Sequence, residues 1–295
     1  MNQETTELIR RVRRLDLRAR RVARMGLAGA WRSVHRGRGM AFEEVRPYIP
    51  GDEVRFIDWN VTARAGDPHV KVFQEERELR LMVLLDDSAS QAFAGNAEAK
   101  IRTGAHAAVA LAAAATRGGD RAGLVTFDNK VRTRIPLRSG PGHLLRLARA
   151  ALSCRGEGMG TDLIPPIEEA TRTMAGGGIV AICSDFQCDG WSEALRRLGR
   201  RCEVLLLPIM DPAEVAPPPV GLVRVRDPES GASQLIDMSS PRVRESWESA
   251  ALARQQELLT AARSIGGDVL PLRTDQDAID AIERHYQRRA RGRKA

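Results

Sequence analysis

The sequence predicts an α/β protein: a doubly wound, mostly parallel sheet preceded by an irregular, partly β subdomain. Three observations predict it. The run Leu81-Met82-Val83-Leu84-Leu85 is apolar without a break, charged before and small and polar after, as a strand buried on both faces must be. From there strand-like and helix-like segments alternate to the end of the chain. Ahead of it, residues 31–78 set short apolar pieces between Gly and Pro turns and hold Phe42, Tyr48, Phe56, Trp59 and Phe73, an aromatic content foreign to a disordered linker. The expected division is a basic helix and subdomain over 1–78, then the α/β domain over 79–295.

Residues 5–30 place Leu8, Val12, Leu15 and Val22 near helical spacing with Arg on the other faces, so an amphipathic helix is expected. Val54 to Trp59 and Val70 to Phe73 read as strands or extended segments. After the first core strand, Asn96 to Arg117 is an Ala-rich helix stopped by Gly118-Gly119. Asp120 to Phe127 is a strand, paired through Asp128-Asn129-Lys130 with Val131 to Pro136. Gly142 to Ser153 is a helix, followed by a Gly-rich loop, Gly156 to Asp162. Pro165 to Met174 is a helix with prolines in its first turn. Gly178 to Ser184 is a buried strand ending at Asp185, Trp191 to Arg200 a helix, and Glu203 to Ile209 a strand. Residues 211–237, with Pro217-Pro218-Pro219 and a hairpin of Leu222–Val225 against Gln234–Ile236, form an insertion at a sheet edge. Arg242 to Ser264 is a long helix, Asp268 to Leu272 the last strand, and Asp277 to Arg289 a final helix.

Charge is unevenly placed. Residues 1–38 hold eleven Arg and three acids, the whole +8 of the chain, and Arg284 to Ala295 adds six basic residues and no acid. Residues 39–283 carry 29 basic and 35 acidic side chains, so the body is mildly acidic. Basic ends can meet an acidic protein, a membrane surface or RNA. An aromatic content of 4% gives no stacking platform for single-stranded nucleic acid, and a nucleic-acid function is not expected. Cys154, Cys183, Cys188 and Cys202 show no Cys-x-x-Cys spacing, which suits free thiols in a reducing compartment. The polar, Arg-rich start has no secretory core, and Ala105 to Ala115 is too short for a membrane span, so a cytoplasmic protein is expected.

Three loops after core segments carry hard oxygen donors: Asp86-x-Ser88-x-Ser90, Gly160-Thr161-Asp162 and Ser184-Asp185. Open α/β sheets place ligands at the carboxyl ends of their strands. Mg²⁺ takes six oxygens in near-octahedral geometry and keeps some of them as water. Hydroxyls of Ser88, Ser90 and Thr161 with carboxylates of Asp86 and Asp185 supply up to five and leave a position open. Each loop alone has a plainer reading, as a helix cap or a turn. Their joint occurrence, in this order, is the specific signal.

The pattern resembles the metal-ion-dependent adhesion site (MIDAS) of von Willebrand factor A domains, which are Rossmann-type. Asp86, Ser88 and Ser90 match its Asp-x-Ser-x-Ser loop, Thr161 its distal Thr, and Asp185 the Asp after the next core strand. The resemblance implies that Ser and Thr hydroxyls contact Mg²⁺ (or Mn²⁺ or Ca²⁺) and that a partner's acidic side chain completes the shell. Further, Gly37 to Asp52 (Gly-Arg-Gly-Met-Ala-Phe-Glu-Glu-Val-Arg-Pro-Tyr-Ile-Pro-Gly-Asp) and Val54 to Arg64 (Val-Arg-Phe-Ile-Asp-Trp-Asn-Val-Thr-Ala-Arg) resemble bacterial A-domain proteins encoded beside MoxR-type AAA+ ATPases. This implies a non-enzymatic partner of such an ATPase in chaperone-like maturation of, or metal insertion into, client proteins.

The alternative is a Mg²⁺-dependent phosphohydrolase of the haloacid dehalogenase type. It needs a second carboxylate two residues after the first, where Ser88 stands, and a Lys to balance phosphate, of which the chain has only Lys71, Lys100, Lys130 and Lys294. No Gly-Lys-Ser/Thr loop, Gly-x-Ser-x-Gly elbow or zinc-spaced histidine is present. A second candidate site gathers Arg38, Arg46, Arg55, Asp58, Trp59 and Arg64. In one reading Trp59 is core and the arginines pair with Glu43, Glu44, Asp52 and Asp58; in the other they are a docking surface for the ATPase.

Overall fold

A computed structural model describes residues 40–75, 79–95, 98–117, 119–227 and 231–292, without the side chains of 40–43, 72–75 and 289–292. The basic helix expected at 5–30, and Arg38, lie outside these residues. Two compact units divide the chain, one within Arg32–Glu78 and the other containing Leu79–Ala295.

In the smaller unit, β1 (Met40–Pro47) pairs antiparallel with β2 (His69–Glu75), with a bulge between Phe42 and Glu44. The stretch expected to be extended from Val54 to Trp59 is instead a 3₁₀ turn, Val54–Phe56, leading to a helix, α1 (Trp59–Ala65). The reason is local. The Asp58 carboxylate accepts the N–H groups of Asn60 and Val61, which starts the helix, and Gly66 at φ 85° ends it.

The larger unit begins with β3 (Arg80–Asp86), followed by α2 (Lys100–Arg117), β4 (Arg121–Phe127) and β5 (Val131–Arg138). Next come α3 (Pro141–Leu152), α4 (Ile164–Thr173), β6 (Ile179–Ser184), α5 (Ser192–Gly199) and β7 (Glu203–Met210). The chain closes with α6 (Pro212–Val215), β8 (Leu222–Arg226), β9 (Ser233–Asp237), α7 (Pro241–Ser264), β10 (Asp268–Val269), β11 (Leu272–Arg273) and α8 (Ala278–Gly292).

The sheet runs β10-β7-β6-β3-β4-β5, with β11 also on β7, and every pairing is parallel except β4 with β5. The doubly wound, mostly parallel fold is therefore the one the chain adopts. Its strand order reverses between β3 and β6, the point where such sheets open a crevice. Alternate residues of β3 feed two cores. Leu81, Val83 and Leu85 join α2, α3 and α8 on one face, and Met82 and Leu84 join α4, α5 and α7 on the other. All five are at most 2% exposed, and burying each contributes about 1.5–3 kcal/mol.

Alanines let α2 lie close to the sheet. A Cβ on Gly104 would come within 2.7 Å of Ile209 Cδ1. The strand expected at 268–272 is split because Pro271 has no N–H to give. The ladder resumes on either side, from Leu270 N–H to the Leu206 carbonyl and from Thr274 N–H to that of Met210. The hairpin of the 211–237 segment forms a separate two-stranded sheet. At one margin of the main sheet, β5 carries Arg132, Arg134, Arg138 and Pro136; at the other stand two strands of two residues each. Among the described residues no helix is long and apolar enough to cross a membrane.

Candidate metal site at the switch point of the sheet

Asp86 ends β3, and Ser184-Asp185 ends β6 beside it, so the topology brings two of the expected loops to the crevice. Asp86 is fully buried and its carboxylate is held from several sides. Oδ1 accepts Ser88 N–H at 2.9 Å, and Oδ2 accepts Ser184 Oγ at 2.6 Å and Gln91 Nε2 at 3.4 Å. The Ser88 and Ser90 hydroxyls lie 3.1 Å apart on the turn that follows. Burial, and then the charge of nearby Asp185, push Asp86 above the usual carboxylate range. A cation placed here would relieve both.

The third loop is brought in by backbone pairing. Ser88 and Gly158 form a parallel bridge, with Ala89 N–H donating to the Gly158 carbonyl and Gly158 N–H to that of Asp87. Asp87 Oδ1 accepts the N–H groups of Arg155 and Gly156 at 2.9 and 2.8 Å, and buried Asp128 accepts that of Met159 at 3.2 Å. Only glycine fits at 158, since a Cβ there would lie 2.5 Å from Asp128 Cβ and 2.7 Å from the Asp87 oxygen. Thr161 is half-buried on this loop, three residues past the bridge. Asp87 and Asp128 thus act on the loop, as anchors.

Asp185 is not free. Lys100, fully buried at the start of α2, places Nζ 2.8 Å from Asp185 Oδ2 and 2.7 Å from Glu214 Oε1 on α6. Burial works against the ammonium, but the two carboxylates outweigh it and hold its pKa above the ordinary lysine value. Sequence reasoning set Lys100 aside as one of four scattered lysines. It also missed Glu214, Ser184 as the donor to Asp86, and Gln91. Only Ser184, adjacent to Asp185, had a visible signal. After Asp185 the backbone turns sharply at Phe186, a non-glycine residue with φ 57°, a conformation that costs on the order of 1–3 kcal/mol and clusters at functional sites.

The residues suit a hard dication. Asp86, Ser88 and Ser90 offer oxygen donors, and Gln91 Oε1 is buried with no protein partner. Among the described residues no three His, Cys, Asp or Glu side chains converge as metal ligands, so a site of the zinc kind is not built there. The cysteines are free, and burial pushes the Cys183 and Cys188 thiols up to about 12 and Cys202 to about 11. They are poor nucleophiles near neutral pH. Phe93 and Met159, 41% and 73% exposed, stand on the loops around the site.

In the smaller unit Trp59 is 68% exposed, which overturns its reading as core: it is the first residue of a short helix none of whose residues is buried. Arg46 pairs bidentately with Asp52 at 2.7 Å, whereas Arg55 pairs with Glu53 and stacks 4.8 Å over the Phe56 ring. Asp58 caps α1 and meets Lys71 at 3.3 Å rather than an arginine. Arg64 is exposed with no ion pair among the described residues.

The family described as "Protein of unknown function DUF58" matches residues 44–257. Proteins described as uncharacterized in Mycobacterium tuberculosis (strain ATCC 25618 / H37Rv) and Mycobacterium bovis are each 34% identical over 259 residues, 87% of this chain and 81% of theirs. Among solved structures, the conserved hypothetical protein BatB from Bacteroides thetaiotaomicron aligns with a TM-score of 0.49 and 17% identity, over 72% of this chain and 99% of that one. The SpRpn10 VWA domain aligns at 0.41 and 14%, over 70% and 94%.

Proposed function

The chain belongs to the DUF58 family, and we propose that it serves as a metal-ion-dependent protein-binding module and not as an enzyme. The observation that carries this reading is the convergence of Asp86, Ser88 and Ser90 with Asp185 at the switch point, beside an orphaned Gln91 oxygen. A bound Mg²⁺, Mn²⁺ or Ca²⁺ would supply a Lewis-acidic point for a partner's carboxylate. Asp86, Ser88, Ser90 and Thr161 would hold it, with Asp185 joining as Lys100 shares its charge with Glu214. Exposed Phe93 and Met159 offer apolar contacts around that point.

In this reading the partners are a MoxR-type AAA+ ATPase and a client protein, and the work is cytoplasmic, chaperone-like maturation or metal insertion. Trp59, Arg55 and Arg64 are the exposed part of a docking surface for the ATPase.

Calorimetric titration with Mg²⁺ and Mn²⁺ tests the site. Wild type binds, and Asp86→Ala loses at least tenfold in affinity, about 1.4 kcal/mol. Equal heats from both proteins, or none from wild type, sink the metal reading. Capture of a MoxR-type ATPase from the same organism, lost on chelation, tests the partner.

Lys100 favours a second reading, since it is the buried cation a haloacid dehalogenase-type phosphohydrolase requires. Its Nζ, however, is taken by two carboxylates, and Ser88 still stands where the acid/base would be. Turnover of phosphate esters that disappears in Asp86→Ala would reverse the preference.

A further inference from the structure

A cavity of about 140 Å³ adjoins Asp185. Phe186, Trp191, Ile209, Leu258 and Pro271 give it apolar walls, and Glu214, Glu257 and Arg254 add charge. An apolar cavity of about 150 Å³ holds one benzene ring, so this one has room for a single aromatic or branched apolar side chain. Gln187 and Arg254 also line a shallower cleft of about 540 Å³ that continues between Ile236 of β9 and Arg242, Val243 and Trp247 of α7. Arg242 and Arg254 are both exposed, and neither makes an ion pair or hydrogen bond among the described residues. A path therefore leads from the metal loops, past a hole for one side chain, to two uncommitted guanidinium groups.

We infer that this path receives an extended, acidic peptide segment of the partner. One phenyl- or leucyl-sized side chain fills the cavity. An acidic residue beside that anchor reaches the metal loops at Asp185, and further acidic residues lie along Arg254 and Arg242. Guanidinium groups recognise carboxylates bidentately, and a buried apolar anchor ringed by polar contacts is how small interfaces gain most of their affinity. The inference rests on the metal reading for its carboxylate end, whereas the cavity and the arginines stand on their own.

The test uses the full chain and two probes. In EDTA, 4-fluorotoluene followed by ¹⁹F NMR reports the cavity without metal. In Mg²⁺, acetyl-Asp-Phe-Asp-Glu-amide and its Phe-to-Ala analogue report the path. Wild type broadens the fluorotoluene line and binds the Phe peptide at least tenfold more tightly than the analogue. Ala251→Phe, which fills the cavity from its wall, abolishes both effects while Mg²⁺ heats persist. Arg254→Glu, a surface change that leaves the core alone, weakens both peptides fivefold or more. A fluorotoluene line that stays sharp, together with equal affinity for the two peptides, overturns the inference. Absence of Mg²⁺ heats with fluorotoluene binding intact removes the metal reading and leaves the cavity as the anchor site.

Discussion

Lys100 is the residue on which the electrostatics of the site turn. One buried ammonium faces Asp185 and Glu214, with Asp86 close behind, so with all three carboxylates ionised the cluster of four carries a net charge of −2. A divalent cation would neutralise it. Removing one member of a buried pair leaves the other uncompensated, which costs about 3–5 kcal/mol. Lys100→Met should therefore unfold at markedly lower urea in EDTA, yet gain more stability from added Mg²⁺ than wild type does. A variant as stable as wild type, and no more responsive to Mg²⁺, would show that Lys100 is no counter-ion. None of this was legible in sequence, because Lys100 lies 85 residues from Asp185 and 114 from Glu214. Asp86, Ser88 and Ser90 were legible because three oxygen donors alternate directly after an apolar strand.

Among the elements, the loop from Gly156 to Thr161 leaves no room for a side chain at Gly158. Gly158→Ala would push a methyl against Asp128 Cβ and the Asp87 oxygen and break the bridge to Ser88. Overpacking of this kind costs about 1–3 kcal/mol. The expected outcome is a lower melting temperature with a several-fold loss of Mg²⁺ affinity, while Gly142→Ala, a helical position where a Cβ meets nothing within 4 Å, lowers neither. The core strands were readable since a strand buried on both faces must be apolar along its interior, and residues 81–85 of β3, 179–183 of β6 and 204–210 of β7 are. The failures were where short-range hydrogen bonding outvotes pattern. Asp58 caps a helix in a segment whose apolar residues suggest a strand, and Pro271 interrupts a ladder that hydropathy runs straight through. The 3₁₀ turn Ala89–Ala92 and the four-residue α6 are too short to leave a periodic signature.

On the scale of the molecule, Asp86, Ser88, Ser90, Thr161 and Asp185 all fall in the unit that contains Leu79–Ala295, which has a core on each face of its sheet. A fragment of residues 79–295 should unfold in one cooperative transition and bind Mg²⁺ within about twofold of the full chain, since compact units with their own core fold alone. Loss of the Mg²⁺ response in a folded fragment would overturn the assignment of the whole site to residues 79–295. The margins of the main sheet have a further consequence. Many proteins recruit partners by letting them lie down as one more strand. Here one border is lined with arginines and broken by Pro136, and the other is cut into two-residue pieces. A visitor finds no continuous ribbon to extend, so strand addition, whether by a partner or by a runaway stack of copies, is closed off at both sides.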